Sequence, residues 1–238
     1  MIRIALAAAQ HINRDIPHNL AQMERFMRRA AAQHADLICF GEAFLQGFEC
    51  LCWDYETDRK MAIPTTGDVF SRICLLCDEI GIDALFGFIE REGDMLYSSA
   101  ALIAGGRLHQ LYRRISHGWK EYWHTDEHYC EGRDVPVFFY REKRFALALC
   151  GDLWDMPERF ALGEDVLLWP VHISYTQEEW DAGEGLEYAK QAQLACKTTL
   201  MVNNIASGDA YGGAFLFENG QIAASLSMEK EDLLIIDI

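Results

Sequence analysis

Short apolar runs of strand length alternate with amphipathic helical patterns through the first 90 residues of the chain. Residues 2–8, 36–40 and 84–89 predict strands, and the apolar spacing of residues 20–30 and 69–80 predicts helices. The resulting order, β-α-β-α-β, favours helices packed on the faces of a sheet.

The second half of the chain is punctuated by turn signals that predict hairpins. Gly105-Gly106 and Asn219-Gly220 are two-residue turns that readily take positive φ. The predicted hairpin strands are 98–104 with 107–112, 135–140 with 144–149, and 214–218 with 221–226; further strands are predicted at 166–169, 200–203 and 233–238, and a helix at 187–197. This mixture of α and β predicts layered mixed sheets with helices outside, in a single domain over residues 1–238.

Composition and charge narrow the classes of partner. Half of the 238 residues are hydrophobic, enough for a sizeable core, yet no run approaches the roughly 20 apolar residues of a membrane-spanning helix. No export signal is apparent at the N-terminus, so we expect a soluble, cytoplasmic protein without a membrane partner. The net charge of -16 argues against a nucleic-acid partner. Most of the eight cysteines are expected to be reduced thiols, several of them in the core.

One cysteine stands where a strand is expected to end. Residues 145–149 are apolar, and Cys150, Gly151 and Asp152 follow at once. A strand-to-turn junction of this kind exposes a side chain and directs backbone N–H groups towards whatever that side chain attacks. A buried structural thiol is the alternative, because free cysteine is among the most buried residue types.

A glutamate occupies the same kind of position earlier in the chain. Glu42 follows the predicted strand at residues 36–40. Catalytic groups collect at the carboxyl ends of strands in α/β sheets, and a thiol needs a nearby base to become a nucleophile at neutral pH. An exposed glutamate in a loop is the alternative interpretation of Glu42 alone.

At these two places the chain resembles the nitrilase superfamily of carbon-nitrogen hydrolases. The family's general-base signature is an apolar strand, Pro-Glu, an aromatic or small pair and Gly-Tyr; residues 38–48 read ICFGEAFLQGF. Its nucleophile signature is an apolar strand, Cys, a small or aromatic residue, Asp and then Pro-Glu; residues 149–158 read LCGDLWDMPE. Weaker likeness continues at 111–114, 127–132, 165–170, 201–204 and 212–214, so the resemblance spans about residues 3–238.

The resemblance implies a four-layer α-β-β-α sandwich and hydrolysis of a non-peptide C–N bond, most often in a small-molecule amide, with water as second substrate. It implies a Glu-Lys-Cys triad with Glu42 as base and Cys150 as nucleophile. The backbone N–H of Gly151 would help to hold the oxyanion, and Glu127 would orient the lysine or the substrate. The resemblance implies a homodimer or a larger homo-oligomer. It implies neither a cofactor nor a metal.

The lysine of the triad is where this chain departs from the family. The register places Arg114 in that position, and Lys120 lies in the loop that follows. We favour Lys120, because an amine can both donate to an oxyanion and pass protons, whereas a guanidinium stays charged. If Arg114 occupies the site instead, catalysis could be weakened, and the chain would be a nitrilase-like binding or scaffolding protein.

Other polar and aromatic residues near these motifs are candidates for the pocket. Trp119, Trp154 and His172 are predicted to line the substrate pocket because they neighbour the proposed catalytic groups. Several histidines lie in one loop, but their spacing fits no short metal motif. These histidines are at positions 117, 124 and 128.

Overall fold

The structure is a computed structural model that describes residues 1–238, and it contains two six-stranded sheets. Strands and helices are numbered along the chain. The first sheet has the order β14-β1-β2-β3-β4-β5, in which β1, β2 and β3 are parallel and the other neighbours antiparallel. Its strands are β1 (Arg3–Ala8), β2 (Leu37–Cys39), β3 (Asp83–Glu92), β4 (Met95–Ala104), β5 (Arg107–Arg113) and β14 (Asp232–Asp237).

The second sheet has the order β13-β12-β9-β8-β7-β6, with β7, β8 and β9 parallel. Each sheet therefore has a parallel centre with antiparallel strands beside it. The strands of the second sheet are β6 (Phe138–Tyr140), β7 (Lys143–Leu147), β8 (Val166–Val171), β9 (Thr198–Asn203), β12 (Ala214–Glu218) and β13 (Gln221–Leu226); a small separate hairpin is formed by β10 (Ile205–Ala206) and β11 (Ala210–Tyr211).

The helices are α1 (Ile16–Ala31), α2 (Tyr55–Met61), α3 (Asp68–Ile80), α4 (Asp152–Asp155), α5 (Gln177–Glu179) and α6 (Gly185–Ala195). Local sequence explains the start of α1, where the Asp15 carboxylate accepts the His18 N–H and Pro17 occupies the first turn. Tighter 3-10 turns occur at Phe48–Cys50 and Pro157–Phe160, and a π-helical turn at Trp180–Glu184 leads into α6.

The alternation of side chains along β1 shows how the layers stack. Ile4 and Leu6 face the second sheet in the largest apolar cluster, whereas Ala5 and Ala7 face the helices in another. Helices α1 and α3 cover the outer face of the first sheet, and α6 packs on the second sheet through Tyr188 and neighbouring alanines. The four-layer α-β-β-α sandwich that the family resemblance implied is confirmed.

The sequence did not predict every element. Helix α2 and the β10–β11 hairpin were missed, because each is short and carries no clear apolar period. The pairing of β14 with β1, which joins the two ends of the chain, is a long-range contact that local patterns do not encode. None of the helices is both long and apolar enough to cross a membrane.

Candidate active site

Glu42 is held where the two sheets meet. Its backbone N–H donates to the carbonyl of Val171 at the end of β8 (3.2 Å), and its own carbonyl accepts from Asn204 Nδ2 (2.6 Å). Gly41 allows this approach, since a Cβ there would lie 2.8 Å from the Val171 oxygen. The loop after β2 in the first sheet is thereby fastened to the parallel strand ends of the second sheet.

Cys150 follows β7 on a backbone in the left-handed region, with φ at +42°. Its N–H donates to Pro170 O (3.0 Å), its carbonyl accepts from the Trp169 indole (2.9 Å), and its thiol reaches His172 O at 3.6 Å. A non-glycine residue in this region is uncommon and costs on the order of 1–2 kcal/mol. Contacts from β8 therefore hold the sulfur in a strained, fixed position.

The carboxylate of Asp152 ties the cysteine loop to the chain that follows β5. It is fully buried and accepts four hydrogen bonds, from Leu149 N (2.8 Å), Tyr112 Oη (2.6 Å), Ile115 N (3.1 Å) and Ser116 N (2.8 Å). Two segments from opposite sheets are thus locked together by one side chain.

We expect Asp152→Asn to destabilise the fold by about 2–4 kcal/mol, because an amide group turns a donor towards N–H and O–H groups that need an acceptor. Urea unfolding followed by fluorescence measures this change. Asp155→Asn is the matched control, since Asp155 is exposed on the same short helix. Equal stability of the two variants would contradict the structural role of Asp152.

Arg114 is buried against Glu42. Its Nη1 donates to Glu42 Oε1 (2.9 Å) and its Nε to Ser116 Oγ (2.7 Å), while Nη2 donates to no protein acceptor. The same Oε1 also accepts from Ser98 Oγ (2.9 Å), whereas Glu42 Oε2 is buried and has no hydrogen-bond partner. One donor nitrogen and one acceptor oxygen are left free beside the cysteine.

Charges in the site act on the thiol in opposite directions. Burial raises the pKa of Cys150 to about 12; the negative charge of Glu42 contributes to the rise, and Arg114 opposes it. For Arg114, burial acts to lower the pKa, but the negative charges of Glu42 and Asp152 oppose it, and the pKa stays raised. The resting state is therefore a neutral thiol beside a permanent cation.

Lys120, which the sequence favoured as the cation, is placed elsewhere. Its amine pairs with Glu131 Oε1 at 2.7 Å and donates to the Tyr129 carbonyl, and its side chain is 8% exposed. It makes no ion pair with Glu42. Glu127 is exposed, and its carboxylate makes no hydrogen bond or ion pair. The structure thus brings Arg114, rather than Lys120 or Glu127, to Glu42.

Three residues expected to line the pocket have different surroundings. Trp119 is buried in a cluster with Ala43, next to Glu42, and its indole N–H has no partner. Trp154 is 42% exposed and packs edge-to-face on Tyr188 of α6 (4.9 Å between ring centroids), in the outer layer. His172 lies beside Cys150 through its carbonyl. Trp119 and His172 lie beside the loops that carry Glu42 and Cys150, whereas Trp154 packs on the helix layer.

The His172 ring belongs to a buried polar group that sequence reasoning did not identify. Its Nε2 lies 2.6 Å from Asp209 Oδ2, and its ring stacks on Phe48 with 4.4 Å between centroids. His11 lies 5.8 Å from it, between centroids, and both nitrogens of His11 lack partners. Burial, aided by His172, lowers the pKa of His11 to about 4, so this imidazole is neutral.

Ser98 and Ser116 are the other contacts that the sequence did not reveal as part of the site. Ser98 interrupts an apolar strand, which is the only local signal it carries.

A cavity of about 850 Å³ borders β5 and residues 129–136, and its lining includes none of Glu42, Arg114 or Cys150. This cavity is therefore separate from the candidate site.

The sequence profile of the carbon-nitrogen hydrolase family matches residues 3–238. The chain belongs to this family.

Individual relatives vary in activity. The chain is 26% identical to a glutamine-dependent NAD(+) synthetase of Thermotoga maritima over 96% of this chain and 42% of that protein. It is 26% identical to an N-carbamoylputrescine amidase of Arabidopsis thaliana, over 67% of this chain and 55% of that one. The chain thus spans about half the length of the curated relatives it matches.

Solved structures share the fold. An amidase from Nesterenkonia sp. AN1 matches with a TM-score of 0.80 and 22% identity, covering 100% of this chain and 93% of that one; this structure is a glutamate-to-glutamine mutant with acrylamide added at the active-site cysteine. The NAD+ synthetase of Acinetobacter baumannii matches with a TM-score of 0.78 and 24% identity, over 98% of this chain and 45% of that one.

Proposed function

We propose that this protein hydrolyses the C–N bond of a small-molecule amide through a thioester on Cys150, with Glu42 as general base and Arg114 as the cation. The observation that carries the proposal is the unequal hydrogen bonding of the two Glu42 carboxylate oxygens. Oε1 is occupied by Ser98 and Arg114, whereas Oε2 has no partner. A buried acceptor without a donor is costly, and a proton from the neighbouring thiol satisfies it.

In the first half-reaction, Glu42 Oε2 takes the thiol proton as the sulfur attacks the carbonyl carbon. Because the pKa of the thiol is raised to about 12, proton removal accompanies the attack. The oxyanion is held by the free Nη2 of Arg114 and by the N–H of Gly151, which donates to no protein acceptor. Each such donor is worth on the order of 3 kcal/mol in the transition state.

Collapse of the tetrahedral intermediate breaks the C–N bond, and protonated Glu42 gives its proton to the departing ammonia or amine. In the second half-reaction Glu42 removes a proton from water, whose oxygen attacks the thioester and releases the acid and the thiol. Arginine remains protonated throughout, so Glu42 carries every proton transfer. Arg114 in the lysine position is therefore compatible with catalysis.

The choice of an amide rests on the family and on the relatives, among which are amidases, a nitrilase and a carbamoylputrescine amidase. The test is ammonia release from primary amides, ω-amides of dicarboxylic acids, carbamoyl compounds and nitriles. Acid-quenched protein should carry the acyl group on the peptide containing Cys150. No ammonia from any of these classes, with the wild-type thiol intact, would overturn the proposal.

The proposal places Lys120 outside the chemistry. Lys120→Met should leave kcat/KM within about threefold of wild type, because the amine holds the loop through Glu131 and Tyr129. The unfolding free energy should fall by about 1–3 kcal/mol, since the variant leaves a partly buried carboxylate unpaired. Lys190→Met, at an exposed pair with Glu187, is the control. A loss of activity above a hundredfold would show that Lys120 takes part in catalysis.

A further inference from the structure

We propose that Gly151 and Ser116 are positioning residues that adapt this active site to an arginine in place of a lysine. The inference rests on the proposed function for its catalytic meaning. It concerns how the guanidinium is held, and which of its nitrogens is presented to the substrate.

Two of the three guanidinium nitrogens are occupied by the protein. Ser116 Oγ accepts from Nε at 2.7 Å and Glu42 Oε1 from Nη1 at 2.9 Å. Both acceptors are fully buried, and Ser116 is itself fixed by its N–H bond to Asp152. A planar guanidinium held at two nitrogens cannot rotate, so the direction of the third nitrogen is set.

The third nitrogen, Nη2, lies against two glycines. A Cβ built on Gly151 would be 2.5 Å from Nη2, and one on Gly118 would be 3.0 Å from it. Gly151 has ordinary helical torsions, with φ at -64° and ψ at -10°, so its backbone does not require glycine. What requires glycine there is the space that Nη2 fills.

This contact brings Nη2 close to residue 151, and neither Nη2 nor the Gly151 N–H donates to a protein acceptor. A lysine ammonium is a compact group on a flexible stem and has no atom that must occupy this space. Glycine at residue 151 and the hydroxyl at residue 116 are therefore needed with Arg114, and a lysine at position 114 would need neither.

The test is a double-mutant cycle of Arg114→Lys and Gly151→Ala. Its first readout is the rate of Cys150 alkylation by acrylamide, followed by peptide mass spectrometry from pH 7 to 10, which needs no amide substrate. Its second readout is kcat/KM on the best amide from the screen. Melting temperatures of all variants show whether each one folds.

Gly151→Ala should lower kcat/KM about tenfold or more and slow alkylation severalfold, because the methyl group displaces Nη2 from its place against residue 151. In the Arg114→Lys background the same substitution should change each rate by less than about twofold. Gly118→Ala, with its longer contact, should give a smaller loss, and Ser116→Thr should retain activity that Ser116→Ala loses.

Equal losses from Gly151→Ala in both backgrounds would overturn the inference, as would full activity of the single variant. The outcome is separable from the proposed function. If the effect of Gly151→Ala on the alkylation rate depends on Arg114 but the protein hydrolyses no amide, the positioning of Arg114 is supported and the amidase proposal is contradicted. If the protein hydrolyses an amide but Gly151→Ala has the same effect with Arg114 and with Lys at position 114, the amidase proposal is supported and the positioning role is contradicted.

Discussion

Replacement of Glu42 by glutamine is expected to lower kcat by about 10⁴-fold while making Cys150 more reactive towards alkylating agents. Turnover is lost because an amide cannot take the thiol proton or activate water. Alkylation rises because the negative charge of Glu42 raises the pKa of Cys150, and its removal lets that pKa fall. The thiolate fraction at pH 8 to 9 therefore increases, while burial keeps the pKa above its usual value.

Acrylamide labelling of Cys150 across this pH range, alongside ammonia release, measures both effects. Glu49→Gln is a matched control on the same loop, since Glu49 lies seven positions further on and makes no ion pair. The two rates should move in opposite directions only in the Glu42 variant. Parallel loss of turnover and labelling would mean that Glu42 acts by holding the loop and not as a base.

Replacement of Arg114 by methionine is expected to have the largest combined effect on stability and activity. The ion pair with Glu42 is almost fully buried, with side-chain exposures of 2% and 0%. Removal of one partner leaves an uncompensated carboxylate and costs about 3–5 kcal/mol. The loss of an oxyanion donor adds a drop in kcat of about 10²- to 10³-fold.

Urea unfolding and ammonia release separate these two effects. Arg113→Met is the control, because Arg113 is the adjacent residue and pairs with buried Glu90 at 2.6 Å outside the site. It should lose stability and keep kcat in the fraction that is folded. Arg114→Lys should recover part of the stability lost by the methionine variant. Unchanged turnover in Arg114→Met would exclude it from the oxyanion site.

Three features make the proposed active site rigid. Cys150 is on a strained backbone, Asp152 locks two loops with four hydrogen bonds, and the Arg114 guanidinium is held at two nitrogens. Such preorganisation favours catalysis because no reorganisation is needed when charge develops on the substrate.

Much of the fold was determined by local sequence. Strand-length apolar runs and helical periods predicted the layered α/β architecture, and the structure confirms it with boundaries shifted by a few residues. Gly105-Gly106 and Asn219-Gly220 each form the predicted turn between paired strands. These signals are local because side-chain alternation, helical period and turn torsions depend on near neighbours.

Which basic side chain lies beside Glu42 could not be derived from the sequence. Arg114 and Lys120 are six positions apart, and sequence chemistry alone favoured the amine. The decision is tertiary, because it depends on which side chain meets Glu42, a residue 72 positions away that is brought close by the β3-β4-β5 meander. Lys120 instead pairs with Glu131. Residue types and local order come from the chain itself, whereas the pairing of Glu42 with Arg114 arises only when strands distant in sequence assemble into the first sheet.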